Sequence, residues 1–217
     1  MTNQKPLLIA IDGPSSSGKG TIAKKIAAYF NLPCLNTGAL YRAIAFLALE
    51  EKLDLEKDEL KIIPLCNNIT KLDLESEKLH NEEIGKAASI VAQNQNIRKA
   101  IFDLQRNFAL SGIQNNGGAV LEGRDIGTVI CPDANYKFFI VADAQIRAKR
   151  RFKQLSESGR KVDYEVILDQ LKKRDEQDRT RTTSPLKKAD DAVEIDTSNL
   201  NIEETMQEFL KYLPKKN

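Results

Sequence analysis

The residue types and spacings that could do chemistry in this sequence begin at Gly13. Gly13, four intervening residues, Gly18 and Lys19 reproduce a spacing in which backbone N–H groups and the start of a helix surround a phosphate. Glycines let such a loop curl closely around the anion, and Lys19 adds a full positive charge. The residue after Lys19 is Gly20 and the hydroxyl follows at Thr21, so the metal-ligating hydroxyl of the usual pattern is displaced and the metal ligands stay unassigned. Further along, Glu122-Gly123-Arg124-Asp125 follows the short apolar run Ala119-Val120-Leu121. Charged residues at the carboxyl end of a parallel strand lie where open sheets bind ligands. Arg147, Arg150 and Arg151 fall on adjoining positions of one helical face, and Arg174, Asp178 and Arg181 are spaced four and three apart. Two arginine-rich helices joined by Ser158-Gly159 suggest a flap over phosphates.

These groups suit phosphoryl transfer, which needs positioning and charge stabilisation more than proton shuttling. The sole histidine, His80, sits in the polar stretch SEKLHNEE, which leaves triad and multi-histidine metal mechanisms without residues. Arginines beyond the loop suggest that the acceptor is itself an anion.

The elements that must position these residues alternate. An apolar run at 7–11 leads into the loop as a strand, and Ile22, Ile26 and Tyr29 give the next segment a helical period. A short strand in LPCLN precedes Thr37, read as a helix N-cap. A helix near 58–67 and short strands around 70–80 are expected next. Helices are then expected at 82–92 and 96–110, with Arg98, Lys99 and Arg106 solvated by default. Strands at 119–121, 136–141 and 192–196 and helices at 144–157 and 163–178 complete the pattern, with a final helix at the end. The fold class is α/β: a mostly parallel central sheet with helices on both faces. The chain reads as one domain, residues 1–217, with an embedded insert at about 63–95 and an arginine-rich lid at about 147–181.

Residues 147–188 hold 14 Lys/Arg against 7 Asp/Glu, while the rest of the chain holds 19 against 24. A basic segment on a neutral body points to an anionic ligand, with nucleic acid as the competing partner. Only Phe152 and Tyr164 interleave that segment, a poor supply of stacking platforms for nucleic acid. Three cysteines without a C-x-x-C pair suit a reducing compartment, and no apolar run has the length of a membrane span. A cytoplasmic protein is expected, without a membrane or nucleic-acid partner and monomeric.

Four segments, IDGPSSSGKGT, LNTGALYR, EGRDIGTV and RDEQDRTR followed by PLKKADDAVEIDT, together resemble the bacterial cytidylate kinase family over essentially the whole chain. The resemblance implies a phosphate-loop (P-loop) kinase that transfers the γ-phosphoryl of ATP to CMP or dCMP with Mg²⁺. It implies that Gly13, Pro14, Ser15, Ser16, Ser17, Gly18, Lys19, Gly20 and Thr21 bind ATP, with Arg147 and Arg151 closing over it. Arg42, Arg124 and Arg181 would hold the acceptor phosphate. Ser89, Arg106 and Asp125, helped by Thr37, would read the cytosine edge, and Arg174 with Asp178 would hold the sugar. Lys19, Arg124 and Arg181 would carry catalysis. Arginine forks suit phosphate, and a carboxylate suits the cytosine amino group. Thr37 stands where many members have Ser, Glu122 where they have Asp, and the insert around 67–85 is short. The alternatives are another small-molecule P-loop kinase or an ATP-binding nucleic-acid module.

Overall fold

A computed structural model describes residues 6–215. By internal contacts the chain forms two compact units, residues 1–34 with 109–217 and residues 35–108.

The first unit is built on β1 (Leu7–Asp12), the middle strand of a sheet ordered β2-β3-β1-β4-β5. Here β2 is Cys34–Asn36, β3 Gly118–Gly123, β4 Tyr136–Val141 and β5 Val193–Asp196. β1 pairs in parallel with β3 and β4, and β4 in parallel with β5. Ile9 and Ile11 point into a core with Val120, Phe138, Ile140 and Ile195. That core is closed by Ile22 and Ile26 of α1 (Lys19–Phe30) and Phe209 of α9 (Ile202–Leu210). Leu8 and Ala10, which alternate with them, are also buried, so both faces of β1 are covered, as a central parallel strand requires. Because the paired strands run one way, the loop after Asp12, the turn after Gly123 and the residues after Val141 and Asp196 lie at one edge of the sheet. Two further helices, α7 (Ala144–Glu157) and α8 (Tyr164–Thr180), pack on each other through a small core of Ala148, Leu155, Ile167, Leu168 and Leu171.

The second unit is helical. In it α2 (Thr37–Glu50) packs against α4 (Glu82–Val91). Short pieces fill the rest: α3 (Glu59–Ile62), α5 (Gln95–Ala100) and the start of α6 (Phe102–Asn116). Four expectations are corrected. The N-cap of α2 is Asn36, whose side chain accepts from Ala39 N–H at 3.2 Å, and Thr37 is the first helical residue. The strands expected around 70–80 are absent. Tight 3₁₀ turns at Ile69–Lys71 and Glu77–His80 stand there instead, after another at Ile63–Asn67. The buried residues Ile62, Leu65 and Ile69 recur every three to four positions, a turn period rather than a strand's alternation. The helix expected at 58–67 stays α-helical only to Ile62, with Pro64 in the turn that follows. The helix expected at 96–110 is two, interrupted at Ile101 (φ −104°, ψ 3°), and the second runs on until Gly117 takes φ +73°.

Gly118 pairs with Leu7, and a Cβ there would lie 2.3 Å from the Leu7 carbonyl oxygen. Gly118→Ala is therefore expected to lower the unfolding free energy by about 1–3 kcal/mol, read as a reduced denaturant midpoint with unchanged slope.

Candidate functional site

The loop after β1 is held from outside. Gly13 is closely packed, since a Cβ would sit 2.6 Å from the Ile140 carbonyl oxygen. Gly18 takes φ +88° at the start of α1, and Ser16 has φ +58°, a conformation that costs a non-glycine residue. Four of the loop's carbonyls, those of Pro14, Ser15, Ser17 and Gly18, are engaged. Lys19 Nζ donates to Pro14 O at 3.1 Å, Arg147 Nη1 to Ser15 O at 3.1 Å, Thr197 Oγ1 to Ser17 O at 3.4 Å and Ile22 N to Gly18 O at 3.1 Å. With these carbonyls engaged, the N-terminus of α1 leaves its N–H groups as a place suited to an anion, and no acidic residue stands in the first turn of α1. Thr21, one position past Gly20, is exposed.

Cations gather beside this loop in a nearly dry setting. Lys19 is buried, and its ammonium lies 3.9 Å from the Glu122 carboxylate at the end of β3. Burial, with the nearby Arg124 and Arg174 cations, pushes the Lys19 ammonium down to about 7 against the pull of Glu122 and Asp178. Gly20 meets the same carboxylate: a Cβ there would be 3.1 Å from Glu122 Oε1. Arg124 donates through Nε to Asp178 at 2.8 Å, and Arg181 Nη1 lies 3.8 Å from the other oxygen of Asp178. Burial raises the Asp178 carboxyl, but the fields of Arg124 and Arg174, the Arg124 hydrogen bond and Arg181 outweigh it and leave it below the usual carboxylate range. Arg124, Arg174, Asp178 and Arg181 therefore form one charged cluster, and Arg181 is further fixed by donating Nε–H to Ser184 O at 2.7 Å. Asp125 is buried in the adjoining turn.

In the helical pair α7 and α8 the arginines make specific contacts. Arg147 is 3% exposed and bridges Ser15 to Asp175. Arg150 donates to Thr197 O and Leu200 O, and Arg151, half-buried, donates to Gln154 at 2.9 Å.

In the second unit, Arg42 Nη1 donates to Leu79 O at 3.0 Å and lies beside Gly85, 3.5 Å from where a Cβ would be. Ser89 Oγ donates to the Gly85 carbonyl at 3.2 Å. Gly85 thus brings Arg42 of α2 near Ser89 of α4. Thr37 is buried and Arg106 half-buried on α6. Arg98, expected in solvent, is buried: its guanidinium sits 5.2 Å from the Tyr41 ring centre and Nη1 donates to Ala92 O at 3.1 Å.

Sequence reasoning missed Asp12, Asp175 and Thr197. Asp12 accepts from Ile126 N and Gly127 N, both at 2.8 Å. It thereby ties the end of β1 to the turn that carries Arg124 and Asp125. Burial raises its carboxyl to about 7 against the pull of those two N–H donors. An aspartate ending an apolar strand just before a glycine loop was the one visible signal.

The family model described as cytidylate kinase matches residues 9–215. A cytidylate kinase of Bartonella tribocorum is 47% identical over 201 residues, 93% of this chain and 91% of the relative. Those of Bartonella bacilliformis and Xanthobacter autotrophicus are 48% and 46% identical, covering 92% and 90% of this chain and 90% and 91% of theirs. Among solved structures, an uncharacterized protein of Eubacterium ventriosum superposes with a TM-score of 0.52 at 20% identity, covering 96% of this chain and 98% of its own. That likeness concerns the fold alone.

A depressed ammonium beside an anion-binding loop makes binding proton-linked. At pH 7–9 the ligand-free Lys19 is partly neutral, and a bound polyphosphate restores its charge, so binding should take up protons. Calorimetry of inorganic pyrophosphate in buffers of different ionisation enthalpy measures the uptake. Relative to Lys19→Met, the wild type should take up roughly one proton more near pH 8, a difference in which the titration of pyrophosphate itself cancels. In the ligand-free protein the same shift makes the Lys19 contribution to stability rise as pH goes from about 7 to 10.5, because only the unfolded chain holds that proton there.

Proposed function

The chain belongs to the cytidylate kinase family, and on that premise we propose that it transfers the γ-phosphoryl group of ATP to CMP or dCMP, giving ADP and CDP or dCDP. It is an ATP-dependent nucleoside monophosphate kinase. The single observation that carries this is the identity of nearly half the residues to relatives of that name over more than nine-tenths of the chain.

Residues Gly13 to Thr21 take the ATP phosphates on backbone N–H groups and the α1 N-terminus, and Lys19 supplies the charge there. Arg147 and Arg151 belong to the donor side as well, within a lid formed by about 147–181. Arg124 and Arg181 hold the CMP phosphate and, with Lys19, the charge that spreads over the transferring group. Arg174 with Asp178 holds the sugar, and Asp125 accepts from the cytosine amino group. In the second unit, which contains the insert at about 63–95, Arg42 takes acceptor phosphate, and Thr37, Ser89 and Arg106 read the cytosine edge. Because the transition state is loose, positioned cations are sufficient and no general-base histidine is needed.

The cofactor is Mg²⁺ arriving with ATP. Mg²⁺ is commonly held by one or two carboxylates plus phosphates and water, and among the described residues no cluster of three or more acidic, cysteine or histidine side chains forms a separate cage. Glu122, whose carboxylate faces Lys19 and Gly20, is the oxygen donor that fits such a metal, directly or through water. When bound, the ion neutralises charge on the phosphates. The reading extends to a monomeric, cytoplasmic enzyme; three cysteines without a C-x-x-C pair suit the reducing compartment. The commitment of Arg147 and Arg150 to Asp175 and Thr197 supports a small-molecule kinase over a nucleic-acid module.

A coupled assay against CMP, dCMP, UMP, AMP and GMP tests the reading. CMP and dCMP are expected to be the preferred acceptors, with turnover abolished by chelation; preference for AMP, or ATP turnover independent of an acceptor, overturns it. Arg181→Ala should lower kcat by roughly 100-fold or more while changing ATP affinity little. Normal turnover in that variant would remove Arg181 from the acceptor phosphate.

A further inference from the structure

We infer that Asp175, a residue with no substrate role above, is a positioning residue for the donor nucleotide: through Arg147 it holds the Ser15 carbonyl and thereby sets the peptide that follows it. The inference rests on the ATP assignment of the loop.

The geometry is a chain of contacts within the first unit. Asp175 on α8 and Arg147 on α7 have side chains 7% and 3% exposed. Arg147 Nη1 donates to one carboxylate oxygen at 3.1 Å and Nη2 to the other, a bidentate pair. Nε donates to Ala142 O at 2.9 Å, which fixes the guanidinium plane against the strand end from which α7 departs. The remaining reach of Nη1 is to Ser15 O at 3.1 Å. A peptide is planar and trans, so the Ser15 carbonyl and the Ser16 N–H point in opposite directions. A carbonyl captured by Arg147 therefore turns the Ser16 N–H away from the guanidinium. Ser16 is left-handed at φ +58°, and a non-glycine residue keeps that conformation only where its surroundings over-determine it. Nearby carbonyls of the loop, those of Pro14 and Ser17, are held by Lys19 and Thr197; the one immediately before Ser16 is held by Arg147.

A buried ion pair is weak evidence for stability, since an apolar pair of similar volume often does as well. What an apolar pair cannot supply is the planar fork, which orients two acceptors and the Ser15 carbonyl together. Asp175 is therefore assigned to geometry. Without its carboxylate the guanidinium loses its bidentate partner, the Ser15–Ser16 peptide is released, and donor phosphates lose a preorganised N–H.

The test is ATP titration by calorimetry alongside steady-state kinetics on the full chain. Asp175→Asn is expected to weaken ATP binding by roughly tenfold while the KM for CMP stays within about twofold. The paired replacement Arg147→Met/Asp175→Leu removes both charges, keeps the space filled and protects against simple misfolding; it should show the same selective loss of ATP affinity with a retained thermal transition. Ser16→Gly, which adopts positive φ without strain, should recover part of the affinity in the Asp175→Asn background, a rescue that a merely stabilising pair would not show. Unchanged ATP affinity in the paired variant, equal losses for ATP and CMP, or no recovery by Ser16→Gly would each overturn the assignment. A wild-type protein that binds ATP but does not phosphorylate CMP would instead defeat the acceptor reading, with the ATP titrations still testing Asp175.

Discussion

The structure depends on holding several cations close together with little water. Arg124 and Arg174 act on Lys19, Arg181 joins them around Asp178, and what keeps these cations compatible is a small set of carboxylates: Glu122 beside Lys19 and Asp178 beside Arg124 and Arg181. Such pairs recover much of the cost of desolvation without making the fold stable on their own account. Their use is to leave a net excess of positive charge at the carboxyl edge of the sheet, where a polyphosphate can complete the balance. Arg124 shows the arrangement most plainly. Its Nε is spent on Asp178 and Nη1 reaches its neighbour's carbonyl, so the side chain is already oriented, and in the proposed role as an acceptor-phosphate residue it would lose little entropy on binding.

Backbone polarity is arranged on the same plan. The loop carbonyls of Pro14, Ser15, Ser17 and Gly18 are taken by Lys19, Arg147, Thr197 and Ile22. An unsatisfied buried carbonyl would cost stability, and each partner chosen also turns a peptide so that its N–H faces the opposite way. Asp12 performs the reverse operation at the neighbouring turn, accepting the N–H groups of Ile126 and Gly127. The residues just before that turn, Arg124 and Asp125, are thereby registered to the start of the loop. Acceptors at one strand end and donors at the next fix both segments to the same sheet edge.

Much of this was legible locally. The apolar run of β1, the glycine loop and the periodicity of α1, α7 and α8 each declare themselves within a dozen residues, and the helices expected at 144–157 and 163–178 run from Ala144 to Glu157 and from Tyr164 to Thr180. Arg124 was visible because a charge placed directly after an apolar strand falls at the sheet edge where ligands bind, and Arg174 and Arg181 because their spacing puts them on one face with Asp178. What was hidden depends on partners distant in the chain. Arg147 reads as one arginine of a flap over phosphates, and only the fold brings Asp175 and the Ser15 carbonyl to it, while Arg98 reads as solvated until Tyr41 lies under it. The turns within 70–80 were misread as strands because a short polar segment with isolated apolar residues carries either period. Only burial of Ile62, Leu65, Ile69 and Leu79 decides between them.

Glycine after Lys19, a departure from the usual phosphate-loop pattern, and glutamate before Gly123, where many family members have aspartate, look unrelated in sequence and meet in space. A Cβ on Gly20 would stand 3.1 Å from Glu122 Oε1, closer than nearly all such contacts allow. A serine or threonine at position 20 would crowd the carboxylate with its Cβ and then with its hydroxyl. The missing side chain leaves room for the longer acid to reach back toward Lys19 from the end of β3. In the proposed metal site, the oxygen that the usual pattern draws from the first turn of the helix comes instead across the sheet, from Glu122. Its position therefore depends on the parallel pairing of β1 with β3, in which Ile11 faces Glu122, and the loop and the strand form a single corner of the site.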